Sequence, residues 1–309
     1  MPAVQKRSQL VLPDQDNSNR QYRQQRWHMH RPVPFFALLI LCMAIAPPSF
    51  AALMKQEPVQ SQGTKPEPGV GEEVAAPLRV IENNAFSVGE HLKYVVRYGP
   101  IRAGYSSLSI PRIVNVSGHP SYLIESKAWA NNFFKRLLRV DDKINSWTDT
   151  RGIFSWGFKK RLREGSFKQD IEAKYDQVNN LAFVGKDTME VPPFVQDVLS
   201  AMYFVRTQKI VPGDTLLIDN HDNRKVSKLM VVVHKREKIK VKAGTFKCIV
   251  VEPLLKSPAV FKHNGRLVIH MTDDDRRIPV MMTSQIYVKA FNLGAVVAEL
   301  EEMEGTLPR

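Results

Sequence analysis

The sequence predicts a mainly β protein, and three observations predict it. Leu92, Tyr94, Val96 and Tyr98 alternate with Lys93, Val95 and Arg97, a period of two with one apolar face. Turn residues such as Gly99-Pro100 and Gly118-His119-Pro120 separate runs of this kind at short intervals. No strand–helix–strand alternation carries phosphate-binding glycines, which disfavours a nucleotide-binding α/β fold. Strands spaced in this way build a sheet meander, a sandwich or a barrel.

In chain order, the strand signals fall at 92–98, 105–110, 121–129 and 142–148. They resume at 215–219, 226–236, 238–241, 245–252, 266–272, 280–288 and 295–300. Two short helices interrupt them. Phe133, Phe134, Leu137 and Leu138 recur at helical spacing. So do Phe194, Val198, Leu199, Met202 and Val205, just after Pro192-Pro193, where prolines suit a helix start. Asp219-Asn220-His221-Asp222-Asn223 reads as a turn between strands.

Some strands are apolar on both faces. Neither parity is polar in Leu229-Met230-Val231-Val232-Val233, Cys248-Ile249-Val250-Val251 or Val280-Met281-Met282. A sheet wetted on one side would alternate cleanly, so something covers the second face. A second sheet or the helices do so in one reading. In the other, a curved sheet encloses an apolar cavity and a ligand supplies part of the cover. Phe154, Trp156 and Phe158 share one strand parity, and Met202 faces them from the helix; these are the candidate ligand-binding residues.

The N-terminal region reads as an export segment. Pro34 to Ala46 is an apolar run of thirteen residues after Arg31, followed by Ser49-Phe50-Ala51. These are the positive lead, short apolar core and small-residue cleavage site of a secretory signal. A bilayer-spanning helix needs about twenty residues, and Pro47-Pro48 stops any continuation. The leader is long for a signal, and a start at Met29 in place of Met1 gives ordinary length. The expected organisation is a leader and signal over 1–51, then a disordered Pro/Gly/Glu-rich linker over 52–80. A β-rich domain over 81–302 and a tail over 303–309 complete it.

Composition limits the chemistry. The 309 residues carry a formal net charge of +13, most of it outside the leader, which favours anionic surfaces or acidic ligands. No nucleic-acid-binding signature is present. Lys238, Lys240 and Lys242 alternate with Ile239 and Val241. That stripe is either a solvated strand guarded against edge pairing or a contact for anionic lipid headgroups. Cleavage after Ala51 leaves one cysteine, Cys248, so no disulfide forms within the mature chain. Its strand context makes it a small buried apolar residue. The histidines lack metal-ligand spacing, and Asp273-Asp274-Asp275 lacks the alternating ligands of a calcium loop and reads as a charged turn. No nucleophile elbow, zinc helix or phosphate loop appears, so no catalytic residue, metal or cofactor is assigned.

One ordered combination of motifs is familiar. Phe86-Ser87-Val88-Gly89-Glu90-His91-Leu92-Lys93-Tyr94 leads to Ile101-Arg102-Ala103-Gly104. Gln196 to Arg206 (QDVLSAMYFVR) and Val241-Lys242-Ala243-Gly244-Thr245-Phe246 come next, and Thr272-Asp273 with Arg277-Ile278-Pro279-Val280 closes the series. Over about residues 84–302 this resembles the bacterial family catalogued as domain of unknown function 3108. The resemblance implies an envelope protein on a curved antiparallel sheet, half-barrel or sandwich-like, with two or three short helices. It brings no activity and no catalytic residues. Asp197, Tyr203 and Arg206 are expected to be structural polar anchors, Asp197 favouring the helix dipole and Arg206 satisfying carbonyls or pairing with Asp197. Functionally, the sequence leads to an exported periplasmic, non-enzymatic protein that binds a lipid or other apolar ligand in a sheet concavity. The alternatives are a periplasmic scaffold or interaction module with a solid core, and a hydrolase without a recognisable motif.

Overall fold

The computed structural model describes residues 78–136, 139–222, 224–256, 266–288 and 291–306. The export segment and nearly all of the expected linker lie outside them. The chain is already docked at Arg79, ahead of the expected domain start. Its guanidinium donates to the carbonyls of Gly152 (2.8 Å) and Ile153 (3.0 Å).

Fourteen strands form from the described residues. The first four are β1 (His91–Tyr98), β2 (Ile101–Val116), β3 (His119–Ala130) and β4 (Asp141–Asp149). Then come β5 (Ser155–Glu164), β6 (Phe167–Asp176), β7 (Leu181–Val184) and β8 (Asp187–Glu190). A helix, α1 (Val198–Thr207), follows. The chain continues through β9 (Thr215–Asp222), β10 (Lys225–Val241) and β11 (Gly244–Lys256). It ends with β12 (Arg266–Thr272), β13 (Pro279–Val288) and β14 (Phe291–Glu304). The mainly β, antiparallel expectation holds, but among the described residues there is one helix where two or three were expected. At Phe133-Phe134 the chain makes only a 3-10 turn, Phe134–Arg136; Leu137 and Leu138 lie outside the described residues. Asn131 caps the start of that turn, its side-chain oxygen accepting from the N–H groups of Phe133 (3.1 Å) and Phe134 (2.9 Å).

All strands belong to one sheet, in the order β8-β7-β6-β5-β4-β3-β2-β1-β14-β13-β12-β11-β10-β9. Successive strands pair as hairpins, and the first and last strands meet in the middle through pairs such as Val95↔Glu299. The free edges, β8 and β9, are therefore in mid-chain, on either side of α1. The sheet is not closed by strand pairing. The segment ahead of α1 spans the gap: Ser155 of β5 donates its N–H to Val195 O (3.4 Å), Gln196 donates to Asp219 O (2.9 Å) and His221 donates to Gln196 O (2.8 Å).

Several boundaries shift. The expected turn at 219–223 is the end of β9, because Asn220 and His221 pair with Ser227 and Val226. The strands expected at 226–236 and 238–241 are one strand, β10, with a bulge between Val233 and Arg236. β14 runs to Glu304, into the expected tail. Strands β6 to β8 were absent from the strand signals, and β5 was read only through the shared parity of Phe154, Trp156 and Phe158. In β6, Lys168, Asp170, Glu172 and Lys174 do alternate with Phe167, Ile171, Ala173 and Tyr175, but Gln169 and Ala173 dilute the apolar parity.

One core cluster runs through the concave face and the helix. It includes Leu92, Tyr94, Ile144, Phe158, Leu199, Met202, Val251 and Leu300. Among the described residues, neither a second sheet nor a helix covers the outer face of β11. Val250 is 4% exposed, and Glu252 and His270 share its face by strand alternation. His234 and Arg266 bind Glu252 at 2.7 Å, and His270 binds Glu237 at 2.7 Å. Long ion-paired side chains thus shield that strand from water.

Candidate functional site

The helix inside the sheet is the natural place to look, because it gathers the sequence-derived site residues. Asp197 is its N-cap. Oδ1 accepts from the N–H groups of Leu199 (2.8 Å) and Ser200 (3.0 Å), and Ser200 Oγ accepts from the Asp197 N–H (2.9 Å). This reciprocal box fixes the helix start. Pro192-Pro193 therefore lie before the helix, and Phe194, with φ of 58°, belongs to the turn ahead of it. The second carboxylate oxygen of Asp197 accepts from Ser146 Oγ of β4 (2.6 Å). Burial raises the Asp197 pKa, while these hydrogen bonds work against the rise.

The other end of α1 is held by charge. Arg206 makes a two-pronged contact with Glu90, 2.7 Å at each oxygen, and both side chains are fully buried. The partner is Glu90, not Asp197 as the sequence reading allowed. Tyr203 Oη also donates to Glu90 (3.2 Å). Arg206 further donates to the carbonyls of Arg276 (3.1 Å) and Ala85 (3.1 Å). Phe86 meets the Tyr203 ring edge-on at 4.8 Å, and the Arg206 guanidinium lies 5.3 Å from the Phe86 centroid. Tyr94 Oη donates to Pro279 O (2.9 Å). Burial lowers the Arg206 pKa, but the adjacent Glu90 carboxylate outweighs this and leaves it raised. Motifs far apart in the sequence thus converge on the C-terminal end of one helix. Every charge there has a partner, which is how a buried ion pair survives.

The apolar candidates converge only in part: the Phe154 and Trp156 rings meet edge-on at 5.3 Å. Trp156 sits in a bulge, since Gly157 pairs with Trp147 and Ser155 with Thr148. The bulge breaks the parity on which the Phe154-Trp156-Phe158 grouping rested. Trp156 Nε1 donates to Asp149 (2.9 Å) and its ring stacks on His119 at 4.0 Å. Phe154 packs on Phe194 at 5.4 Å. Phe158 joins the main core. Met202 belongs to the same core and lines a groove between α1 and strands β10 to β12. That groove is lined only by apolar residues, among them Val205, Leu229, Val251, Pro253 and Met271. Its open space, counted to the rim, is about 390 Å³, but the room for water-sized molecules is about 30 Å³. The smaller figure decides what fits without rearrangement, and it is far below the several hundred Å³ of a ligand pocket.

A second polar group was not found from the sequence. Asp142 of β4 and Glu164 of β5 are both 2% exposed. No protein donor reaches either Glu164 oxygen. Burial and the neighbouring Asp142 raise the Glu164 pKa to about 10, and burial raises that of Asp142 too. Burial beside a second carboxyl group thus favours the neutral, protonated form of Glu164. Elsewhere on the concave face, Lys160 binds Asp222 (3.0 Å) and Tyr175 Oη meets His221 Nδ1 (3.0 Å). Among the described residues, no three His, Cys, Asp or Glu side chains are grouped to hold a metal ion. Cys248 is fully buried with Phe246 and Val280, and burial pushes its thiol up to about 11, so it is a poor nucleophile at neutral pH.

These features define a class: an open antiparallel β-sheet curved around one internal helix that buried polar anchors hold at both ends. The chain belongs to the family described as protein of unknown function DUF3108, whose model matches residues 93–299. No curated protein matches it. Among solved structures it is similar to a β-barrel-like protein of domain of unknown function DUF1849 from Brucella abortus, at 12% identity and a TM-score of 0.47. That match covers 74% of this chain and 99% of the other. A Bacteroides fragilis protein described as exported, with a YmcC-like fold, is 12% identical with a TM-score of 0.30, over 72% and 99% of the two chains. A Parabacteroides distasonis protein described as a lipoprotein is 10% identical with a TM-score of 0.33, over 73% and 99%.

Proposed function

We propose that the protein is an exported, non-enzymatic interaction module of the cell envelope, with an interior filled by its own helix. The observation that carries this reading is the room left beside α1, about 30 Å³ for water-sized molecules. An acyl chain cannot enter without parting α1 from β10 to β12. Native mass spectrometry of protein isolated from the envelope tests it. The expected mass is that of the processed chain alone, and N-terminal sequencing should start at Ala52. A lipid bound in stoichiometric amount, or a retained apolar run, overturns it.

The groove lining favours a second reading, in which an apolar chain is taken up beside Met202. Met202, Leu229 and Met271 are flexible side chains able to repack around a guest. In that case Leu229→Gln, at the half-buried edge of the groove, should deplete a co-purifying lipid while the variant stays folded.

A further inference from the structure

We infer that one end of the sheet is a docking surface for an anionic lipid bilayer, centred on Phe133. This inference rests on the reading of the chain as an envelope interaction module and names its partner. Antiparallel hairpins place the β1–β2, β3–β4, β5–β6 and β9–β10 connections at the same end. Exposed apolar side chains cluster in these connections. Phe133 is 73% exposed in the β3–β4 connection, Ile101 is 49% exposed at the start of β2, and Val226 is 40% exposed at the start of β10. Trp129, near the end of β3, is part-exposed and stacks with Tyr105 at 6.0 Å. Solvent-facing apolar groups at the opposite end, such as Val88 and Val178, are aliphatic. Aromatic rings are the side chains that settle best at the headgroup level of a membrane.

Charge points the same way. Lys135, Arg136 and Arg139 flank Phe133 and are exposed, and Lys225 adjoins Val226. None of these four cations is in an ion pair among the described residues. Acids at this end are already neutralised: Asp141 by Arg161 at 2.5 Å and Asp170 by Arg163 at 2.7 Å. The result is an exposed aromatic flanked by uncompensated positive charge, which suits anionic headgroups above an acyl layer. The lysine stripe is the rival surface, and it lies toward the other end of β10. There Lys242 is spent on Glu301, and Asp273 and Asp274 stand beside Lys238.

Sedimentation of the purified protein with vesicles tests the assignment. One set is phosphatidylcholine alone, and the other contains phosphatidylglycerol. The expected result is binding to the second set only, weakened by high salt. Phe133→Ser should reduce the partition roughly tenfold, since losing a buried aromatic is worth more than one decade. Lys135→Glu with Arg136→Glu should reduce it by at least roughly tenfold. All three positions are exposed, so circular dichroism melts should match wild type. Equal binding to both sets, no binding to either, or insensitivity to these variants overturns the inference. So does loss of binding through Lys238→Glu with Lys240→Glu instead. The interaction-module reading fails separately, by an interior lipid seen in native mass spectrometry without vesicles.

Discussion

Glu90 and Glu164 are both almost fully shut away from water, yet one faces an arginine and the other faces a second carboxyl group. The first site compensates its charge with a partner of opposite sign and a full set of hydrogen bonds. The second removes a charge by keeping a proton. The difference teaches where each is vulnerable. A paired charge is indifferent to pH near neutrality but intolerant of losing its partner. A retained proton tolerates a neutral substitute but is lost to alkali.

The largest effect is expected at the ion pair. Arg206→Met leaves Glu90 buried and unpaired and should cost about 3–5 kcal/mol in a urea melt. Combining it with Glu90→Leu should recover part of that loss. If the double variant is as unstable as the sum of the singles, the charges do not depend on each other and the comparison fails.

At the other end of α1, Asp197→Ala removes the cap and leaves Ser146 with Thr148 alone as a side-chain partner, at a cost of about 2 kcal/mol. Loss of helical signal at 222 nm ahead of the global transition is a further expected mark of this variant. A neutral polar atom gives the intermediate scale. Cys248→Ser buries a hydroxyl among Phe246 and Val280 and should cost roughly 1–2 kcal/mol, with function retained. A stable variant that has lost function would mean the thiol is reactive.

The smallest effect at mildly acidic pH is expected from Glu164→Gln, which mimics the protonated acid. The same change should alter the pH profile most. An unfolded glutamate titrates at about 4.3, and Glu164 in the fold titrates at about 10. Between those values the folded protein holds one proton more than the unfolded chain. Wild-type stability is therefore greatest at the acid end of the window and falls as pH rises, by on the order of 1 kcal/mol per pH unit. Melts from pH 5 to 9 should show that slope in wild type and a flatter line in Glu164→Gln. Parallel slopes would place the proton elsewhere.

Much of the sheet was legible from period-two runs and turns, because β1, β3, β12 and β13 each bury a clean apolar parity or a continuous apolar core. Strands β6 to β8 were not, and β5 was only in part, because their concave side carries Lys160, Glu164 and Gln169, polar groups that hide the face they occupy. Phe133 misled differently. Its helical spacing is met by a turn that Asn131 caps, but the described turn is one 3-10 segment, Phe134–Arg136. At the site, Asp197, Tyr203 and Arg206 stood out through the family resemblance. Glu90 sat in the same quoted motif, and only pairing across the fold could link it to Arg206, 116 residues away. The Trp156 bulge leaves no trace in a period-two reading, since one inserted residue looks like any other until its partner strand is known.

The pairing of β1 with β14 has a temporal side. Lys93 meets Glu302 across 209 residues of sequence. A chain made from its N-terminus exposes Leu92, Tyr94 and Val96 first, all at most 1% exposed once folded. At ordinary synthesis rates their covering strand arrives roughly 10–40 s later. Long-range closure of this kind also folds slowly. Throughout that interval β1 offers β2 one edge and leaves the other unpaired, in the middle of what will become the sheet. Any cell that makes this protein has to keep that edge from strangers until the last strand is delivered.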